Sequence, residues 1–439
     1  MKRWICLLLI LVCLPVSGAL GKETLRVVDL NVYPEAVKLF SSRYPDVQLE
    51  GADTLFDSQE TFITHLMIQD STIDIYAITV SMGLKKLKEK SYLPVIASPL
   101  LEEEIAGWYP AIQACLTTSQ GVVAVPYDLT TNEWGVDPDL WAQLFPGKSL
   151  DTWMDYLQLA AAWQKNEAWQ EEYTLTMSGL TQMDVARRLV RSYITYYETD
   201  EAPLSFDQLA FLECLEALRT LPEDQDVPED SEAWNEQLNR PTVIQETMEN
   251  IGSAAGMGDS FEAIPEPRFT QEDAPVLQGE MRMYVINPYS EHYDLAVRFL
   301  ETVVEAMPQQ MKIRFSPAVE APIENPYWAK RQAEIAEEMS ALEQLPELTE
   351  AAQIRLDSLR WAYQNESDRY LVTQAEKERY QELTPYLRFH LSSNFLGFQN
   401  GSNVDALLAY VERYLSGYLS LDACIQEMNR VSAQIYYEQ

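Results

Sequence analysis

Three histidines in 439 residues leave little imidazole for metal or acid–base chemistry. His65, His292 and His390 stand far apart, and none pairs with another ligand at the spacing a zinc site uses. The chain also lacks a Gly-x-Ser-x-Gly elbow, a His-Glu-x-x-His pair and a P-loop, so the commonest hydrolytic and nucleotide chemistries find no anchor. Of five cysteines, Cys6 and Cys13 fall in the N-terminal apolar segment. The remaining Cys115, Cys214 and Cys424 are odd in number and widely separated, which excludes a disulfide framework. Cys214 and Cys424 sit in helix-like patterns and read as buried free thiols. Cations are scarce, 32 Lys and Arg against 68 Asp and Glu, for a net charge of −36. Such a surface repels nucleic acid and anionic lipid and keeps a protein soluble and monomeric. It is a solvating coat and identifies no ligand. With so many acids, two carboxylates at glycosidase spacing can always be imagined, so that alternative needs geometry.

Only one long apolar run is present, Ile5 to Val16, and it is too short to span a bilayer comfortably. Lys2 and Arg3 precede it and Ala19-Leu20-Gly21 follows, the three-part pattern of a signal peptide cleaved after Gly21. Cys13 is preceded by Ile10-Leu11-Val12 rather than small residues, which disfavours a lipid anchor. Removal of residues 1–21 leaves 30 basic and 68 acidic residues, a mature charge of −38. The expected destination is the extracytoplasmic space, secreted or periplasmic.

Directly behind this leader, Leu25 to Glu50 reads as strand, helix, strand. Leu25 to Leu30 is a short apolar run that ends in polar residues, Asp29 and Asn31. Pro34 suits the first helical turn, where a missing N–H costs nothing. Ala36, Val37, Phe40 and Tyr44 share one helical face, Pro45 stops the helix, and Val47 and Leu49 alternate with Gln48 and Glu50. Ile73 to Ile78 is a second such strand, with Thr79 and Ser81 at its end; Val122 to Val125 is a third, closed by Pro126-Tyr127-Asp128. Strands alternating with helices predict a mainly parallel sheet covered on both faces. Beyond Asp151, a good N-cap, the pattern turns helical over Thr152–Gln164, Met183–Tyr197 and Phe206–Leu221. Met281 to Ile286 reads as a strand, Tyr293 to Met307 as a helix, and the chain after Pro326 as almost wholly helical.

A series of short features then falls in one order. The helix Ala36–Tyr44 runs into Pro45-Asp46-Val47. Asp74-Ile75-Tyr76 precedes a helix and Lys90-Ser91-Tyr92-Leu93. Gly121-Val122-Val123-Ala124-Val125-Pro126 leads to Asp137-Pro138-Asp139-Leu140-Trp141 and Thr152-Trp153. Tyr289-Ser290-Glu291-His292 enters Ala296 to Leu300, and Leu415-Ser416-Gly417-Tyr418-Leu419-Ser420 opens the last helix. In this order the chain resembles the extracellular solute-binding proteins of ABC importers, especially the large sugar-type group. It departs from them at Trp134-Gly135-Val136, where members commonly carry Tyr-Asn, and over Ala341–Leu387, which reads as an added helical insertion.

The resemblance implies an α/β, two-lobed periplasmic-binding-protein-like fold of type II with a helix-rich second lobe. Lobe one would hold residues 24–126 and 287–320, and lobe two 130–283 and 325–439, with Pro126–Thr130 and Met281–Tyr289 as the crossings between them. It implies a small-molecule ligand, an oligosaccharide among the candidates, and ABC permease subunits as partners, with no cofactor, no metal and no enzymatic step. A secreted two-carboxylate glycoside hydrolase and a ligand-sensing subunit are the alternatives.

Sugars are held by aromatic faces and planar polar side chains, and each candidate group has a plain structural counterpart. Tyr127, Asp128, Asn132 and Trp134 cluster at the expected crossing; otherwise Trp134 anchors lobe two and Asp128 shapes a turn. Asp29 and Asn31 lie beyond the first strand, as ligand groups or as a helix N-cap or turn pair. Thr79 and Ser81 are ligand groups or helix caps. Asp259 and Phe261, in the loop Gly256-Met257-Gly258-Asp259-Ser260-Phe261, face the cleft or form a surface turn.

Overall fold

The computed structural model describes residues 22–52, 59–80, 84–199, 201–223, 240–248, 261–345, 349–364, 369–389 and 401–437. Nine strands organise them: β1 (Glu23–Val28), β2 (Val47–Ala52), β3 (Ile75–Thr79), β4 (Val125–Val136), β5 (Thr174–Thr176), β6 (Thr242–Met248), β7 (Glu262–Ile264), β8 (Leu277–Ile286) and β9 (Leu387–Phe389). They pair in the order β2-β1-β3-β8-β4-β6-β5, with β9 also on β8 and β7 also on β4.

The N-terminal unit forms for the reasons its sequence suggests. Helix α1 (Pro34–Arg43) starts with proline in its first turn, buries Ala36 and Phe40, and ends at Tyr44 ahead of Pro45. It returns the chain so that β1 and β2 lie parallel, from Glu23↔Val47 to Val28↔Ala52. Phe40 meets Phe299 edge-on at 5.5 Å, which packs α1 against the helix Tyr293–Ala306.

Two hydrophobic cores divide the molecule. The first gathers Leu25, Val27, Ile75, Ile112, Val125, Leu129, Met281, Val285, Phe299 and Phe315. The second gathers Trp134, Trp153, Tyr156, Leu189, Tyr193, Phe211, Ile244, Phe269, Leu407 and Met428. The chain crosses on β4 between Leu129 and Trp134, at the start of β8 between Val276 and Leu277, and again between Phe389 and Val404.

These crossings move two sequence-derived boundaries. Residues 277–283, expected in lobe two, belong to lobe one: Leu277, Met281 and Met283 are buried in its core, and β8 pairs β3 from Arg282↔Thr79 to Ile286↔Ile75. Gln278, Gly279 and Glu280 hide the first half of this strand in the sequence, because glycine and charge interrupt an apolar run. Val372, Tyr380, Leu383, Leu387 and Phe389, also expected in lobe two, pack in the first core as well. Nor does Pro126 close its strand. It lies opposite Met283 while Asp128 lies opposite Arg282, so the ladder shifts there and Tyr127 is the extra residue. Proline is tolerated in a sheet at such a bulge.

The expected insertion Ala341–Leu387 is bounded differently: a helical hairpin, Trp328–Glu343 and Glu350–Gln364, stands on a two-stranded base of Ile323–Glu324 and Tyr370–Val372, and the residues from Val372 to Leu387 pack in the first core. Arg355 holds Glu338 through two bonds of 2.8 and 3.0 Å, and Arg360 holds Glu343 at 2.8 Å. Among the described residues no helix is long and apolar enough to cross a membrane. Cys115, Cys214 and Cys424 are unpaired and buried, and burial pushes each thiol up to about 12.

Strand β9 can lie on β8 because Gly279 has no side chain. A Cβ there would come within 2.7 Å of the Leu387 side chain and 3.1 Å of Phe389. Gly279→Ala is expected to push the third crossing off the sheet and cost about 1–3 kcal/mol, the usual range for overpacking. Chemical denaturation of the variant checks this; an unchanged midpoint would mean that β9 yields freely.

Candidate functional site between the lobes

Strand direction locates the site. β4 runs from the first core to the second, and β8 runs antiparallel to it, back into the first. β3 is antiparallel to β8, so its carboxyl end at Thr79 points toward lobe two; β1 is parallel to β3 and does the same at Asp29. In lobe two, β6 is antiparallel to β4 and β5 is parallel to β6, so both end facing lobe one. The carboxyl ends of both lobes' strands therefore face each other, and ligands of open α/β sheets bind beyond such ends.

Alternation along the crossing strands lays a polar strip between them. On β8, Gly279, Met281 and Met283 are buried, whereas Gln278 is half-buried and Glu280 and Arg282 are exposed. Residues two apart share a strand face, so these three line one side. Opposite them in register stand Thr79 across from Arg282, Thr130 across from Glu280 and Asn132 across from Gln278. Asp128 flanks Arg282 on the β4 side, half-exposed, with Oδ1 3.9 Å from Arg314 Nη1. Arg314 itself donates to the Leu129 carbonyl at 2.9 Å. Glu280 and Arg282 form no side-chain hydrogen bond or ion pair with the described residues, although they are neighbours on one face.

Asp29 closes the lobe-one end. Its φ of 53° is left-handed, which few residues other than glycine, asparagine and aspartate adopt. Two tyrosines hold it: Tyr127 donates to its carboxylate at 3.1 Å, and Tyr284 to its carbonyl at 2.8 Å. Their rings pack at 4.5 Å. Burial raises both phenol pKa values, so both stay protonated donors. Tyr33 donates in turn to the Tyr127 carbonyl.

The structure thus brings Asp29, Thr79, Tyr127 and Asp128 to one end of lobe one. Asn31 is exposed beside Asp29, and Asn132 is placed by its backbone register alone. Ser81 and Asp259 lie outside the described residues; Phe261 is half-buried just ahead of β7. The two aromatics are not ligand platforms here. Tyr127 is 3% exposed, and Trp134 is 5% exposed and sits edge-on to Trp153 at 5.6 Å and Tyr156 at 5.3 Å. Trp134 is the anchor of lobe two, and its surroundings come from a helix, Trp153–Trp163, that its own neighbourhood in sequence does not reveal. Sequence reasoning passed over Gln278, Glu280 and Arg282. Their signal was a polar residue at every second position of a strand.

Elsewhere in lobe two a cavity of about 290 Å³ lies between Val136, Trp141, Leu150, Ile264, Glu266 and Arg268. Burial pushes the Glu266 carboxyl up to about 7, opposed by a hydrogen bond with Ser192.

No protein-family model matches the chain, and no curated protein matches it in sequence. Solved structures match it over nearly its whole length. Maltose-bound MalE3 of T. maritima is 11% identical, with a TM-score of 0.57 over 95% of this chain and 100% of its own. The sugar-binding protein MalE of Xanthomonas citri is 14% identical, with a TM-score of 0.56 over 94% and 98%. An ABC substrate-binding protein of Listeria monocytogenes in complex with cycloalternan is 13% identical, with a TM-score of 0.55 over 95% and 99%. The chain has the two-lobed, type II binding-protein fold of these structures.

Two outcomes are expected. Trp134→Ala empties a packed aromatic site and should cost about 3–5 kcal/mol of stability, whereas Arg282→Ala on the open strip should stay within about 0.5 kcal/mol of the parent. Urea melts of the pair check this, and equal losses would return Arg282 to a structural role. Glu266 keeps its proton longer when folded than the unfolded chain does, near its ordinary 4.5. The folded state therefore binds more protons between these values, and stability should fall as pH rises from about 4.5 through 7. Glu266→Gln should flatten that slope in melts taken across the range; an unaltered slope would show that the group ionises normally.

Proposed function

We propose that this protein is an exported solute-binding protein that captures a small hydroxylated solute, of the carbohydrate class, between its lobes and delivers it to an ABC permease. The carrying observation is the polar strip on the two crossing strands, where Glu280 and Arg282 stand side by side without partners among the described residues, flanked by Thr79, Thr130 and Asp128. Carboxylates and guanidinium groups are planar and charged, and they exchange strong, directional hydrogen bonds with hydroxyl groups. Charges of both signs suit a neutral polyol, which donates to one and accepts from the other. Because the strip lies where strands pass from lobe to lobe, a solute seated on it touches both halves, the arrangement by which such proteins close. The maltose and cycloalternan bound in proteins of like fold support the same class. The leader at residues 1–21 supports export.

The test is a thermal-shift and calorimetric panel of mono- and oligosaccharides, polyamines and peptides against the chain from residue 22. A ligand that binds only the folded form raises the melting temperature, by the equivalent of about 2.7 kcal/mol at a hundred times its Kd. A sugar is expected to give this shift. Arg282→Ala and Glu280→Ala should each weaken it by about 1.5–3 kcal/mol, roughly tenfold or more in affinity. A panel in which no sugar shifts the melt would overturn the carbohydrate reading.

A further inference from the structure

Lobe two holds a charged group that the strip does not use. Arg188, in the helix Gln182–Tyr197, reaches back to the turn that follows β5. Its Nη1 donates to the Ser178 carbonyl at 2.7 Å and its Nη2 to the Gly179 carbonyl at 2.9 Å. Nη2 also donates to the Tyr156 hydroxyl at 2.9 Å, and Nη1 stands 3.1 Å from Glu246 Oε2. Tyr156 completes the ring by donating to Glu246 Oε1 at 2.7 Å. The Arg188 and Glu246 side chains are only 16% and 2% exposed.

Desolvating an arginine–glutamate pair is costly, and apolar residues of like volume often serve stability as well or better. A charged ring in this position therefore points to a task other than stability. Its position supplies one. The turn leaves the carboxyl end of β5, Glu246 lies near that of β6, and both ends face lobe one. The turn is fixed at its far side too. Gly179 has φ 81°, a Cβ there would meet Asp184 Oδ2 at 2.3 Å, and Thr181 and Asp184 cap the helix reciprocally.

We infer that Arg188, braced by Glu246 and Tyr156, is the positioning residue for lobe two's wall of the cleft, holding the Ser178–Gly179 turn in the shape that meets a solute seated on the strip. The inference rests on the solute-binding reading and extends it to the second wall. The matched pair adds no net charge beneath the rim, so this wall suits an uncharged hydroxylated solute over a charged one.

The experiment uses the chain from residue 22 with Arg188→Lys, Arg188→Met and Glu246→Gln. Amide hydrogen exchange over residues 176–182, apo melting and calorimetric titration with maltose and other neutral mono- and disaccharides are read together. Expected are exchange at the turn faster by tenfold or more in Arg188→Met, sugar affinity lower by tenfold or more, and partial recovery of both in Arg188→Lys. Glu246→Gln, which keeps shape and the Tyr156 contact but leaves the buried Arg188 charge unmatched, should show the same changes in milder form together with a lowered apo melt. Turn exchange unchanged in Arg188→Met overturns the inference, as does a loosened turn with sugar affinity intact. A parent chain that binds none of the sugars removes the carbohydrate reading, and the exchange arm then decides the clamp by itself: unchanged exchange overturns it, and faster exchange confined to the turn upholds it.

Discussion

The antiparallel ladder between β4 and β8 is the constraint on which the rest depends. It runs from Tyr284↔Val125 inside the first core to Gln278↔Asn132 at that core's edge, next to Trp134 and Val276 of the second, so the two strands meet lobe two already locked side by side. Backbone groups in a sheet must be paired, and that requirement holds the two strands together where neither core encloses both of their faces. The bulge at Tyr127 follows from the same ladder. It accommodates Pro126, and the residue it frees is the one whose hydroxyl reaches Asp29.

The bulge, the left-handed Asp29 and the Tyr127–Tyr284 pair form one local solution. A left-handed aspartate costs on the order of 1 kcal/mol and persists where surroundings determine it. Here a phenol fixes its carboxylate, a second phenol fixes its carbonyl, and a third, Tyr33, fixes the backbone of the first. The three tyrosines are thereby committed to holding the wall. Among the described residues, Trp153 and Trp163 are likewise committed to the second core, and Trp141 packs against it.

Local sequence was informative wherever structure is local. Leu25 to Glu50 carried its own strand, helix and strand with Pro34 and Pro45 as punctuation, and Asp29 could be placed beyond a strand end from that alone. Helix boundaries in lobe two came within a few residues, though Thr152 rather than Asp151 caps its helix, because Asp155 completes a capping box with it. What escaped depends on partners distant in sequence. Whether Trp134 is core or cleft is decided by Trp153 and Tyr156, the reach of β8 by β3 and β9, and the side to which Val372–Phe389 belongs by Tyr109 and Arg314 against Tyr380. The strip itself was written as Gln278-x-Glu280-x-Arg282. It could not be read as one face until the register set Thr79, Thr130 and Asn132 opposite.

If the protein works as proposed, the strip also explains how it avoids closing on nothing. Bringing two lobes together over Glu280 and Arg282 would strip water from exposed charges, and burying a charge without a matched partner costs far more than the added apolar burial returns. In the proposed function, a cleft without a solute is held open by its own hydration. A solute that offers hydroxyl groups to both signs of charge replaces that water, bond for bond, and removes the penalty. In the proposed function, selectivity and closure thus come from the same residues: the groups that recognise the solute are the groups that forbid closure in its absence.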